Sequence, residues 1–275
     1  MPSLLQAQLR PAVHLRRRGL RRRRLRVAGP GARSAGLKAV VIVPTYDESE
    51  NVVPLLEAIR DLGVPGLEVL VVDDASPDGT AERVRAFAAR HPFADVLVRS
   101  GPRGRGHAGR EGYQAALARG ADLVVEMDGD LSHDPRDLPR LLAAAEKHDV
   151  VLGSRFVPGG SDTDRALWRR VLTVAANFYI RVLFGIGVRD ANSGYRCFRR
   201  AALVAIDPAS LRSPGPAIVQ EVLFRAHRCG LRVGEIPVAF ADRARGDSKL
   251  GWGELWQGYV TVLRLRARQL LGLER

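Results

Sequence analysis

Between Lys38 and Ser154, short runs of β-branched residues alternate with longer segments whose apolar residues recur every three or four positions, and few folds accommodate that pattern. KAVVIVP, LEVLVVDD, ADVLVRS, ADLVVEMD and DVVLGS have the length and content of buried strands. ENVVPLLEAIRDLG, DGTAERVRAFAARH, GREGYQAALARG and PRDLPRLLAAAEKH intervene with helical spacing. Strands separated by helices pair in parallel, because the chain must cross back over the sheet, and right-handed crossovers cover both faces. The pattern predicts an α/β fold, a doubly wound and mostly parallel sheet with flanking helices in a single domain. A further helix in GPAIVQEVLFRAHRCG and a strand in LRVGEIPVAF complete it.

In such a sheet the ligand lies beyond the carboxyl ends of the strands. The polar motifs fall there: PTYDESE follows the first strand, DDASPDGT the second, DGDLSHDP the fourth and GSRF the fifth. Asp47, Glu48 and Ser49 could cap the next helix, and Asp78 with Gly79 could form a plain turn. Asp128 and Asp130 demand more. Two carboxylates one glycine apart at the end of a buried strand repel each other unless a cation or a proton intervenes. A hard divalent cation is held by one or two carboxylates plus substrate phosphates, and with no HExxH, paired CxxC or clustered histidines, zinc is not expected. Cationic residues downstream, Arg155, Arg196, Arg243 and Lys249, complete the requirements of a diphosphate site. GRGHAG, from Gly104 to Gly109, fits a dinucleotide fingerprint, but it follows the third strand rather than the first; close backbone approach to a substrate, or packing at a helix start, is the expected role of its glycines.

The formal charge of +13 would suggest nucleic acid, except that residues 1–37 hold ten arginines and no acid, leaving 33 basic against 30 acidic residues beyond. That arm, too poor in apolar residues to bury a core, is expected to be disordered. Arginines interrupt its apolar runs, so it does not read as a secretory signal. A solubilising tail, attraction to anionic lipid and nucleic-acid binding are its three readings, the last disfavoured because nothing downstream interleaves aromatic residues. Cys197 and Cys229 stand far apart outside any paired motif and are expected as reduced thiols. No segment reaches the roughly 18 uninterrupted apolar residues of a membrane span; VLTVAANFYI ends at Arg181 after ten.

VIVPTYDESENV, VVDDASPDGT, MDGDLSHDP, GSRF, DANSGYRCF and DRARGDSKLG, in this order, resemble the motifs of family 2 glycosyltransferases, and specifically the polyprenol (dolichol) phosphate mannosyltransferases. The resemblance runs from about Lys38 to Trp256. It implies a GT-A fold over 38–250, GDP-mannose as donor, a polyprenyl phosphate as acceptor, and Mg2+ or Mn2+ as cofactor. By motif position, Pro44, Tyr46 and Glu48 would line the nucleotide pocket, Asp73 would contact the base, and Asp128 and Asp130 would reach metal and donor diphosphate. Arg155, Arg243, Ser248 and Lys249 match positions that hold donor or acceptor phosphate; Arg243, Ser248 and Lys249 form the acceptor clamp, and Asp130, Arg155, Arg243 and Lys249 are the implied catalytic set. Ser132 stands where many relatives carry glutamine, and its shorter hydroxyl implies coordination through water or not at all. Asn192 replaces a more usual threonine, which implies a small change in loop hydrogen bonding.

An acceptor phosphate is already anionic, so inversion by direct displacement needs no strong base, and charge on the leaving diphosphate is neutralised by metal and cationic side chains. The lipid must be reached from the membrane surface. Residues 251–275 are expected as an amphipathic helix with Leu255, Tyr259, Val262, Leu263 and Leu270 on one side, either lying in the interface or packed on the sheet. The segment ALWRRVLTVAANFYIRVLFGIG could carry an isoprenoid or fill the core, and Glu221 could face the sugar or favour its helix dipole. The implied location is peripheral, on the cytoplasmic face, with a separate membrane-anchoring subunit as a candidate partner. Two alternatives stand beside this reading: transfer of another sugar from a UDP-sugar to a lipid phosphate or glycan, and a non-catalytic nucleotide-binding module whose arm binds nucleic acid.

Overall fold

The computed structural model describes residues 36–162, 167–241 and 252–272, without the side chains of Arg169 and residues 252–257. The strands are β1 (Ala39–Thr45), β2 (Leu67–Asp73), β3 (Ala94–Val98), β4 (Leu123–Glu126), β5 (Val150–Ser154), β6 (Arg196–Arg199) and β7 (Val233–Pro237). They form one sheet in the order β3-β2-β1-β4-β6-β5-β7. Helices are α1 (Val52–Asp61), α2 (Thr80–Ala88), α3 (Arg105–Ala118), α4 (Leu138–Ala144), α5 (Leu167–Phe184), α6 (Arg200–Ile206), α7 (Ile218–Arg228) and α8 (Trp252–Leu270).

Side chains alternate across a strand, and both faces of this sheet are covered. Val40, Ile42, Leu70 and Val72 pack with Tyr113 of α3 and with Phe198 and Phe224. Val41, Val43, Val69 and Val71 point the other way, against Leu55, Leu56 and Ile59 of α1 and against Val84, Phe87, Leu138 and Leu141. Each such buried side chain contributes about 1.5–3 kcal/mol, which is why β1 from Ala39 to Val43 and β2 from Val69 to Val72 read as unbroken apolar runs. On α3, a Cβ at Gly112 would meet Val72 and Ile42 at 3.1 and 3.2 Å, so this glycine sets how closely the helix lies on the sheet.

The five expected strands are β1 to β5, and β7 lies within LRVGEIPVAF. The unexpected one is β6. It runs antiparallel to both β4 and β5 and separates them. With only four residues, RCFR, and arginine at both ends, it has no apolar run to announce it.

Helix α8 packs on α5 and α7 through buried Val262 and Leu265 and through an edge-on contact of Tyr259 with Tyr179. Leu263 and Leu270 are exposed, so the apolar residues expected on one side divide between a packed face and an outer one. No helix among the described residues is long and apolar enough to cross a membrane. The expectation for the arginine-rich arm lies outside the described residues.

Candidate active site

The order of strands reverses between β1 and β4, and the exit loops of β1, β2 and β4 part at that point. Among the described residues, three of the four non-glycine residues with left-handed backbone, Asp47, Ala75 and Leu131, sit one in each of these loops. L-residues hold that conformation only where surroundings impose it. Here the imposing groups are carboxylates. Asp73, which closes β2 opposite Thr45, accepts from Thr45 Oγ1 at 3.1 Å and from Ser76 Oγ and N at 2.5 and 2.9 Å. Asp78 accepts from Ser49 N at 2.9 Å and from Thr80 N and Oγ1 at 3.0 and 2.6 Å, tying the β1 loop to the start of α2. Burial would raise the Asp78 carboxyl, but the donors of Thr80 and Ser49 hold it below its ordinary value.

Pro44, in β1, leads into Tyr46 and Glu48. Arg103 lies 4.8 Å over the Tyr46 ring and donates to its hydroxyl at 2.9 Å. Glu48 Oε2 accepts from Asn51 Nδ2 at 2.7 Å and Glu48 N donates to Thr80 Oγ1 at 3.0 Å. Asp74 pairs with buried Arg99 and accepts from Gly104 N at 2.6 Å, which fastens the glycine-rich segment to the β2 loop.

Asp128 and Asp130 follow β4. Gly129 between them touches the sheet: a Cβ there would lie 3.0 Å from Thr45 Cγ2. Buried Asp130 accepts from Ser132 N and Oγ at 3.1 and 2.6 Å. The next residue, His133, stacks on Tyr195 at 4.9 Å and accepts from Asp128 N through Nδ1 at 3.0 Å. Burial lowers the His133 pKa against the raising pull of Asp128 and Asp130, which suits a neutral ring accepting at Nδ1. Arg105, first residue of α3, donates through Nη2 to Asp128 Oδ1 at 2.6 Å, and the same nitrogen lies 3.5 Å from Oε1 of buried Glu126. Burial opposes that charge, but Asp128 and Glu126 outweigh it and keep the guanidinium firmly protonated.

Arg155, just past β5, is gripped by Asp190: Nε to Oδ2 is 2.7 Å, Nη2 to Oδ1 is 2.8 Å, and the Arg155 amide adds a bond of 3.1 Å. Its guanidinium lies over Phe240 and Phe156, 5.2 and 5.3 Å from their ring centres. Two parallel charge-assisted bonds fix both position and plane. A groove of about 600 Å³ starts at Phe156 and runs along α5 past Leu167, Arg170, Val171, Val174 and Phe178.

The family model for glycosyl transferase family 2 matches residues 40–206. The chain belongs to glycosyltransferase family 2. An undecaprenyl-phosphate mannosyltransferase of Micrococcus luteus is 40% identical over 83% of this chain and 93% of its own length. A polyprenol monophosphomannose synthase of Mycolicibacterium smegmatis is 40% identical over 82% of this chain and 85% of its own. Glucosyl-3-phosphoglycerate synthase of Mycobacterium tuberculosis, solved with Mn2+ and UDP, superposes with a TM-score of 0.61 at 21% identity, over 84% of this chain and 79% of its own; at that identity the likeness shows a shared fold, GT-A. Family membership makes the chain an enzyme and displaces the reading as a non-catalytic binding module.

In this family 2 glycosyltransferase the structure gathers Pro44, Tyr46, Glu48, Asp73, Asp128, Asp130 and Arg155 at one sheet edge; Arg243, Ser248 and Lys249 lie outside the described residues. Two readings need correction. Arg196 is no phosphate ligand: fully buried, it donates to the carbonyls of Ser193, Val219 and Ala191 at 2.6, 2.6 and 3.0 Å. Glu221 neither faces a sugar nor merely favours a helix dipole, because it accepts from Arg212 N, Ser213 N and Arg225, holding the loop before α7. Asn192 does work through loop bonds, donating to Asn177 Oδ1 at 2.8 Å and accepting from Gln220 at 2.7 Å. The glycines of GRGHAG serve packing: a Cβ at Gly106 would stand 2.0 Å from Ser213 O.

Arg105, Glu126 and His133 were not anticipated from sequence. The one available signal was that GRGHAG enters the sheet edge beside the DGD carboxylates. For a divalent cation the donors fit in kind, since Asp128 and Asp130 offer hard oxygens only. Among the described residues no group of three or more His, Cys, Asp or Glu is assembled, so a bound ion would complete its shell from water and donor diphosphate. Ser132, its hydroxyl turned onto Asp130, orients that carboxylate.

Proposed function

We propose that the enzyme transfers mannose from GDP-mannose to a polyprenyl monophosphate with inversion, working peripherally on the cytoplasmic face of a membrane. The observation that carries this reading is the groove of about 600 Å³ beginning at Phe156, because it starts an apolar track beside Arg155, a positioned cation suited to a phosphate. Along α5, Leu167, Trp168, Val171, Val174, Phe178 and Val182 are all exposed at helical spacing, while Asn177, Ile180 and Phe184 turn inward. A row of exposed apolar residues on one helix face is what an isoprenoid chain or a lipid surface would cover. The mannosyltransferase names of relatives at 40% identity support the sugar and the acceptor class.

In this reading the nucleotide base and ribose lie over the β1 and β2 exits, with the Tyr46–Arg103 stack as one wall. Asp128 and Asp130 would hold Mg2+ or Mn2+, which when bound supplies charge neutralisation on the leaving diphosphate. Ser132 and His133 keep the two carboxylates in place. Arg155, fixed by Asp190, offers a positioned cation on the acceptor side, where preorganised charge lowers the barrier without reorganisation. The acceptor phosphate attacks the anomeric carbon from the face opposite the departing diphosphate, and no protein base is required.

The test is transfer of labelled sugar to polyprenyl phosphate in detergent from GDP-mannose, with UDP-glucose in parallel, with and without EDTA. An organic-extractable product from GDP-mannose that EDTA abolishes is expected. Product from UDP-glucose alone would replace the sugar and donor but keep the lipid acceptor; product from neither would sink the reading.

A further inference from the structure

Arg105 stands between two carboxylates of different kinds. Glu126 is 1% exposed, its Oε2 taken by the Tyr113 hydroxyl and its Oε1 facing Arg105 at 3.5 Å. A carboxylate so deeply buried requires a cation. Asp128, by contrast, opens to the ligand edge, with its side chain 32% exposed. One guanidinium nitrogen serves both, so Arg105 is anchored from below and engaged from above by the acid that a donor diphosphate and its metal would approach. Room for it is built into the fold: a Cβ at Gly194 would come within 2.8 Å of Nη2. Among the described residues its other nitrogens make no hydrogen bond, although a guanidinium carries five donors in a fork that suits phosphate oxygens.

We propose, resting on the nucleotide-sugar reading above, that Arg105 is a donor-diphosphate-binding residue that neutralises Asp128 until the donor arrives. Anchored on Glu126, the guanidinium turns its unused donors to the diphosphate, and Asp128 is released toward the metal. Two consequences follow from the charges. The protein binds a diphosphate measurably without metal, and it binds metal poorly without a diphosphate, since Arg105 already occupies Asp128. Nucleotide and metal then enter cooperatively, each raising the affinity of the other by the same factor.

The experiment measures, by titration calorimetry on the full chain in EDTA, binding of GDP, UDP and inorganic pyrophosphate to wild type, Arg105→Lys and Arg105→Met, and, without EDTA, binding of Mn2+ alone by electron paramagnetic resonance. Loss of a charge-assisted contact should weaken GDP and pyrophosphate binding about tenfold or more in Arg105→Met, with Arg105→Lys between. Mn2+ alone should bind Arg105→Met several-fold more tightly than wild type. Should the buried Glu126 left behind prevent folding, Arg105→Met combined with Glu126→Gln removes both charges and is held to the same outcomes. Diphosphate affinities within twofold of wild type, or unchanged Mn2+ affinity, would overturn the role. A pyrophosphate difference retained while wild type fails to discriminate GDP from UDP would sink the guanosine donor and leave Arg105 in place.

Discussion

The exit loops of β1, β2 and β4 and the outer face of α5 are built in opposite ways: the loops are locked by carboxylates that each accept two or three hydrogen bonds, whereas the helix turns seven large apolar side chains to the outside. The contrast matches the physics of the two substrates proposed above. A nucleotide diphosphate is small, rigid and highly charged, so affinity comes from preorganised dipoles and charges. An isoprenoid is long, flexible and featureless, and only apolar area recognises it. Arg155 stands at the border and shares both characters, forked to Asp190 and stacked on Phe156 and Phe240.

The comparison breaks most completely at the carboxylates. Asp130→Asn keeps shape and removes charge, and transfer should fall by about 10²–10³, the usual loss when a transition-state electrostatic partner is deleted. Turnover within about threefold of wild type would remove Asp130 from the catalytic set. On the other side, Val171→Asp with Phe178→Asp alters residues that are 59% and 66% exposed, so thermal stability should hold while vesicle association and transfer to a long polyprenyl phosphate drop about tenfold. A short, water-soluble phosphate acceptor should be spared; equal losses for both acceptors would mean that α5 acts on folding or catalysis instead. Between the two lies Arg155→Lys. It keeps the charge but cannot make the forked pair, and about a tenfold loss of kcat with little change in donor KM is expected if acceptor positioning is its role.

Legibility divides along the same line. Strands β1, β2, β4 and β5 were evident because they are buried on both faces and so are mostly apolar, the edge strand β3 because its short apolar run sits between two helical segments, and their polar exits because a doubly wound sheet places ligands there. The short strand β6 escaped because Arg196 is paid for by backbone carbonyls, a compensation that no periodicity records. In the sequence Arg196 is one more cation downstream of the carboxylates, which is why it looked like a phosphate ligand. Arg105 was overlooked for the opposite reason: in GRGHAG the glycines drew attention, and the side chain between them reaches Asp128 only because β3 leads into α3 beside the end of β4. Glu126 looked like one more strand residue until Tyr113 and Arg105 were seen to converge on it. Pairings between distant segments are what sequence patterns omit.

The smallest expected effect tests whether loop locking matters to folding as well as to binding. Asp78 ties the β1 loop to α2, and the hydrogen bonds it accepts from Thr80 and Ser49 hold its carboxyl below the ordinary value in the folded protein. A group whose pKa is lowered on folding stabilises the fold in its charged form, so the contribution is fully present above the unfolded value and disappears as pH falls through the folded one. Asp78 is largely exposed, so solvent screens it and Asp78→Asn should cost less than about 1 kcal/mol at pH 7. The informative quantity is how that cost varies with pH. Denaturant melts of the two proteins should differ by a constant amount above about pH 5 and converge below about pH 4. A difference that persists into acid would mean that the amide fails to reproduce the geometry rather than the charge, and the loop would then be held by shape.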